Sequence, residues 1–130
     1  ETGKKITDIA IIVADFTNDA SCSPDGIIEV EKSGIEIKCP FNSRNHVHHL
    51  TVGNAADLKE VNETYYWQIQ MSLLITNFSK WYFISYDPRF SDKYRMHIAE
   101  IERNEADIEL LKSRLLKAVE IKNNILKQLS

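Results

Sequence analysis

Glu36 and Lys38 stand two residues apart in Gly34-Ile35-Glu36-Ile37-Lys38, and Ser23-Pro24-Asp25-Gly26 precedes them. Alternation along a strand sends Glu36 and Lys38 to one face and leaves Ile35, Ile37 and Cys39 on the other, which their apolar character assigns to the core. Pro24-Asp25-Gly26 lies where the chain would enter a preceding strand, Ile27 to Val30. A turn at Lys32-Ser33-Gly34 would fold the second strand back and bring Asp25 near Glu36 and Lys38. Two carboxylates and a peptide carbonyl form a hard, all-oxygen site suited to magnesium or manganese. A lysine beside such an ion can hold an attacking water or neutralise charge building on a phosphate. The plain alternative is a half-exposed strand face after a turn, since a Glu and a Lys alternating with isoleucines also describe that.

The elements that must position these residues follow from periodicity. Ile6 to Phe16 reads as a mainly apolar strand, and Ile35 to Cys39 as the returning strand of the cassette. Residues 41–54 carry Pro-adjacent Phe41, several Asn, three histidines and Gly53 without a clean period, and are expected to be a loop. Ala56 to Thr76 predicts a single helix, with Tyr66, Ile69 and Leu73 on its packed side. Trp81 to Tyr86 reads as a strand ended by Asp87-Pro88, and Tyr94 to Ile101 as its antiparallel neighbour. Asn104 is a helix N-cap, with Glu105 and Asp107 in the first turn. The helix it starts carries Ile108, Leu111, Leu115, Ala118, Ile125 and Leu129 at heptad steps. Packing against the sheet is favoured over a coiled coil between chains. The order of elements predicts an α/β or α+β domain over residues 1–130, with a mixed sheet of about five strands flanked by helices.

Composition sets further bounds. The chain has 130 residues, a 43% hydrophobic share and a net charge of −3. That is one domain with enough apolar content for a core. The acidic balance argues mildly against nucleic-acid binding, so any phosphate affinity must come from a local patch. Cys22 and Cys39 lack metal-site spacing and are read as reduced, buried thiols. No N-terminal apolar run of signal-peptide type is present, and no stretch is long enough to span a bilayer, so a cytoplasmic location is expected. His48 and His49 are adjacent and cannot share a strand face; with His46 they are expected as loop residues beside a DNA path, not as metal ligands. Arg44 could meet a phosphate as a bidentate donor, or sit on a solvated surface.

Several blocks together resemble one family. Asp25 with Glu36-Ile37-Lys38 follows the PD-(D/E)xK pattern of metal-dependent nucleases. Cys22-Ser23-Pro24-Asp25-Gly26, Gly34 to Phe41 with Ser43-Arg44, Gln68-Ile69-Gln70, Trp81-Tyr82-Phe83 with Tyr86-Asp87-Pro88-Arg89, and Ile101-Glu102-Arg103 are similar to the YqaJ-type viral recombinases of the phage lambda exonuclease kind. The resemblance runs from about Ala20 to Glu105. It implies a restriction-endonuclease-like core and a magnesium-dependent 5′-to-3′ exonuclease acting on double-stranded DNA ends, with manganese able to substitute.

By matching position, the resemblance makes Asp25 and Glu36 metal ligands, with the Ile37 carbonyl completing the protein side. Lys38 would align the water, Gln68 would touch the site, and Arg44 would face DNA. It also implies a ring-shaped homotrimer, pairing with a single-strand annealing protein, and action in the host cell's cytoplasm, or its nucleus if the host is eukaryotic. In the family a helical N-terminal region precedes the equivalent of Thr2-Gly3 and supplies a further acidic ligand. The expectation is therefore that such a segment, on this chain or another, completes the site. Two other readings stay open: a catalytically impaired DNA-binding or assembly module on a nuclease fold, and a PD-(D/E)xK endonuclease.

Overall fold

The structure, a computed structural model, describes Ile6, Thr7 and residues 11–130. Its elements run β1 (Ile12–Val13), β2 (Ser21–Cys22), β3 (Gly26–Ile28), β4 (Ser33–Lys38), α1 (Ser43–His49), α2 (Ala55–Val61), α3 (Glu63–Thr76), β5 (Lys80–Tyr86), β6 (Met96–Glu102) and α4 (Glu105–Leu129). Among the described residues the main sheet has four strands, in the order β3-β4-β5-β6, and β1-β2 form a separate ribbon. β4 and β5 are parallel, and the other pairs are antiparallel. The mixed α/β architecture is therefore as expected, with the first strand shorter than its apolar run: Thr7 bridges Ile27, Ile12–Val13 pair with the ribbon, and residues 8–10 lie outside the described residues.

The parallel pairing of β4 with β5 requires a crossover, and α1, α2 and α3 supply it. They cover one face of the sheet. Trp81 and Phe83 of β5, with Ala99 and Ile101 of β6, pack there against Val52, Leu58, Tyr66, Ile69 and Leu73. Gly34 belongs to this face for a steric reason. A Cβ on it would lie 2.2 Å from Trp81 Cη2, so the indole occupies the space a side chain would need. The reversal after β3 falls two to three residues earlier than expected, over Glu29 to Lys32, where Lys32 takes φ 53° and Glu31 N–H donates to Ile28 O at 3.2 Å. Ser33 and Gly34 are already strand.

The segment expected as a loop is half helical. Ser43–His49 form α1, and His46 and His49 are buried while His48 is exposed. Polar side chains on a buried helical face defeat a hydrophobicity count, because histidine reads as surface. The single helix expected over 56–76 is two: Asn62 takes φ −152° and ψ 93°, ends α2, and accepts the Tyr65 N–H to start α3. All four helices start on asparagine, since Asn42, Asn54, Asn62 and Asn104 each accept a first-turn backbone N–H. Those bonds satisfy donors that have no partner inside the helix. Asn77 ends α3 in the left-handed region at φ 60°, which asparagine tolerates better than most residues.

The long helix α4 does not lie along the sheet. Ile108 enters the main core and Leu115 packs on the small cluster of Ala14, Ala20 and Ile75 beside the ribbon. Lys122 forms an ion pair with Asp19, and the apolar residues from Ile121 onward are exposed. No helix among the described residues is long and apolar enough to cross a membrane.

Candidate metal centre

The covered face of the sheet changes character along its length. On β5 the inward residues run Trp81, Phe83, Ser85, and on β4 they run Gly34, Glu36, Lys38, with Glu36 opposite Phe83 and Lys38 opposite Ser85. One end is therefore apolar core and the other is polar. Ile37, by contrast, points to the uncovered face and is 45% exposed. Cys39 is also exposed, and Cys22 is half-buried with a thiol pushed up by burial. The expectation that Ile37 and Cys39 fill the core is thus reversed: the charged residues lie under the helices.

Asp25 reaches this polar end from the start of β3. Its N–H donates to Ile35 O at 3.0 Å, and its Oδ2 accepts the Ile37 N–H at 2.7 Å. Pro24 before it has no N–H to extend the ladder, so the Asp25 side chain continues the contact between the two strands. Glu36 Oε1 lies 3.0 Å from Lys38 Nζ. Burial pushes the Glu36 carboxyl up; the Lys38 ammonium opposes that, and the like charge of Asp25 adds to it. A half-buried carboxylate with a second one beside it favours a cation between them.

Helix α3 closes the site from above. Gln68 Oε1 accepts from Lys38 Nζ at 3.3 Å, and the Tyr65 ring centroid lies 4.4 Å from the same nitrogen. Tyr65 and Gln68 are three apart and so share one helical face. That spacing was the available signal for Tyr65, which reading the sequence alone missed. Gln70, two residues on, faces elsewhere: it donates to Glu102 O at 3.0 Å and accepts the Asn104 N–H at 3.0 Å, tying α3 to the β6–α4 corner.

Beneath Lys38 is a buried histidine pair. His46 Nδ1 and His49 Nδ1 each lie 2.8 Å from Ser85 Oγ, and His46 Nε2 is 2.7 Å from Tyr94 O. The carbonyl needs a donor, so His46 carries its proton on Nε2. Its Nδ1 then accepts the Ser85 hydroxyl, and Ser85 Oγ accepts the proton on His49 Nδ1. Burial, with the charges of His46, His48, His97 and Lys38 around it, lowers His49 to about 4. A neutral His49 ring packs between Tyr65 and Phe83.

Asp25, Glu36, Lys38 and Gln68 are thus brought together, and Arg44 is not part of their contacts. It sits exposed in the first turn of α1, its backbone N–H bonded to Asn42 Oδ1. Two carboxylates and the Ile37 carbonyl are a donor set that fits a hard divalent cation. Among the described residues no group of three or more His, Cys, Asp or Glu side chains stands where a metal could bind.

The fold is shared with solved exonucleases. An alkaline exonuclease from Laribacter hongkongensis is 28% identical and matches over 98% of this chain and 63% of its own, with a TM-score of 0.72. Its complex with dAMP gives a TM-score of 0.71. A phage related exonuclease from Haemophilus somnus 129PT has the same fold at 13% identity, with a TM-score of 0.74 over 99% of this chain and 65% of its own. The chain spans about 63% of the length of the Laribacter enzyme. No curated protein matches the sequence. Residues 1–79, more than half of the chain, match the YqaJ-like viral recombinase domain, and the chain belongs to that family.

Proposed function

We propose that this chain is the core of a magnesium-dependent deoxyribonuclease that hydrolyses double-stranded DNA from its ends in the 5′-to-3′ direction. The observation that carries this reading is the convergence of Asp25, Glu36, Lys38 and Gln68 at the polar end of the helix-covered face. The Laribacter exonuclease was solved with a mononucleotide, dAMP, which is what an exonuclease releases. Asp25, Glu36 and the Ile37 carbonyl would hold the cation. The chemistry supplied by a bound magnesium is Lewis-acid activation of a water and neutralisation of phosphoryl charge. Lys38 would direct its N–H donors at the attacking water and at a non-bridging phosphate oxygen. Gln68 Oε1 and the Tyr65 ring fix the direction of its ammonium, so little reorganisation is needed as charge develops. A homotrimeric ring and a single-strand annealing partner belong to the same proposal.

Calorimetric titration with manganese tests the site directly. Binding should be lost in Asp25→Ala and in Glu36→Ala, and equal binding in all three proteins would remove the metal centre. Linear and covalently closed duplexes separate the reaction classes, since only an endonuclease cuts a closed circle.

A further inference from the structure

The Tyr86-Asp87-Pro88-Arg89 turn plays no part in the metal centre, yet it is among the most tightly bonded segments of the molecule. Asp87 is 1% exposed. Arg89 Nε and Nη2 donate to its two carboxylate oxygens at 2.8 and 2.9 Å, and the Arg89 N–H adds a third bond at 3.0 Å. The guanidinium beside it, helped by the Ser43 hydroxyl, holds the Asp87 carboxyl down at about 2. Arg89 Nη2 also reaches across to Pro40 O at 3.1 Å and Phe41 O at 3.0 Å. The loop that leaves β4 just after Lys38 is therefore clamped by its carbonyls, while Asn42 fixes its far end as the cap of α1.

What this clamp presents to solvent is a phenylalanine. Phe41 is 99% exposed, whereas Phe16, Phe78, Phe83 and Phe90 are all buried or half-buried. Left in water, that ring goes without the stabilisation its burial would bring. Only Cys39 and Pro40 separate it from Lys38, a backbone reach of no more than about 11 Å. Arg44, three residues further, is exposed as well. An aromatic face and a cation beside a phosphate-cleaving centre are the two components of a single-strand binding platform.

We propose that Phe41 is a stacking platform for a nucleobase of the DNA being cleaved, and that the Asp87–Arg89 pair is the positioning device that holds it there. The inference rests on the deoxyribonuclease reading. The nucleobase, not a protein surface, is the favoured occupant because the loop issues directly from the strand that carries Lys38.

The test uses short duplexes with 2-aminopurine at the terminal or the adjacent base of either strand, with calcium replacing magnesium. The wild-type chain should bind and quench at least one probe position. Phe41→Leu should lose that quenching and bind about tenfold more weakly, the scale of one base–aromatic stack. Phe41→Trp should keep both, and Arg89→Lys, which cannot bridge both carbonyls, should fall between. Equal affinity and equal quenching in wild type and Phe41→Leu would overturn the inference and leave the nuclease reading intact. Unchanged DNA binding with a lower sedimentation mass in Phe41→Leu would assign the ring to a contact between copies and also overturn it. No binding of any duplex by the wild type would remove the deoxyribonuclease reading, and the inference with it.

Discussion

The two faces of the sheet invert the usual relation between polarity and cover. Glu36, Lys38 and Ser85 lie beneath helices, while on the other side Ile37, Ile84, Ile98 and Met96 line an open groove of about 740 Å³ together with Tyr86, Asp92 and Arg95. The covered face tolerates its charges because α1 and α3 bring polar partners to the same end: Gln68, Tyr65 and the His46–Ser85–His49 triplet. Buried polar groups are stable only when paired, and here each one named has a partner. Burial alone therefore does not mark the core of this protein. The apolar half of the covered face provides stability, and the polar half provides a site.

Substitutions along these faces should separate in size. Trp81→Ala removes the largest buried side chain and should lower unfolding free energy by about 3–5 kcal/mol in a denaturant titration. A loss below about 1 kcal/mol would mean the Trp81 end is not the core. Lys38→Ala, at the polar end, should leave manganese binding intact and slow DNA cleavage about a hundredfold or more. Cleavage within a few-fold of wild type would make Lys38 an ordinary strand residue.

The pH dependence of stability probes the wall between those ends. A histidine whose folded pKa lies below its unfolded value of about 6.5 gives full stability above that value, and loses it as pH falls toward the folded value. With His49 lowered to about 4, the loss should run between pH 6.5 and 4, on the order of 3 kcal/mol. His49→Phe, which leaves Ser85 bonded to His46, should flatten that slope. An unchanged slope would place the acid sensitivity elsewhere. The smallest effect belongs to the open face, where Ile98→Ser should change stability by no more than about 0.5 kcal/mol. A loss as large as that of Trp81→Ala would show the open face to be a second core.

Much of this was legible in the sequence because strong local signals agreed. The alternation of Ile35 to Lys38, the strand from Trp81 to Tyr86 and the Asn104 cap all appear in the structure near their expected places. Alternation gives a period but no sign, so it could pair Glu36 with Lys38 without saying which side the helices would cover. α1 was illegible because its buried residues are histidines, whose burial depends on Ser85 and Tyr94, more than thirty positions away. The break at Asn62 had a signal in the asparagine itself, masked by apolar periodicity on both sides. Gly34 read as a turn residue because its real cause, the indole of Trp81, is remote in sequence.

The parallel ladder between β4 and β5 has a further consequence, for the order of events when the chain folds. Each residue of β4 pairs with one about 47 positions later, Ser33 with Lys80 and Lys38 with Ser85, so no hairpin can nucleate this contact. The two strands are joined only through the three crossover helices, so their pairing closes a long loop. Lys38 gains its neighbours Ser85 and Gln68 only through contacts with residues 47 and 30 positions away, whereas α4 starts on its own cap. The geometry around Lys38 is therefore assembled from non-local contacts, and in native-state hydrogen exchange the Ile37 and Lys38 amides should report its opening separately from the helices.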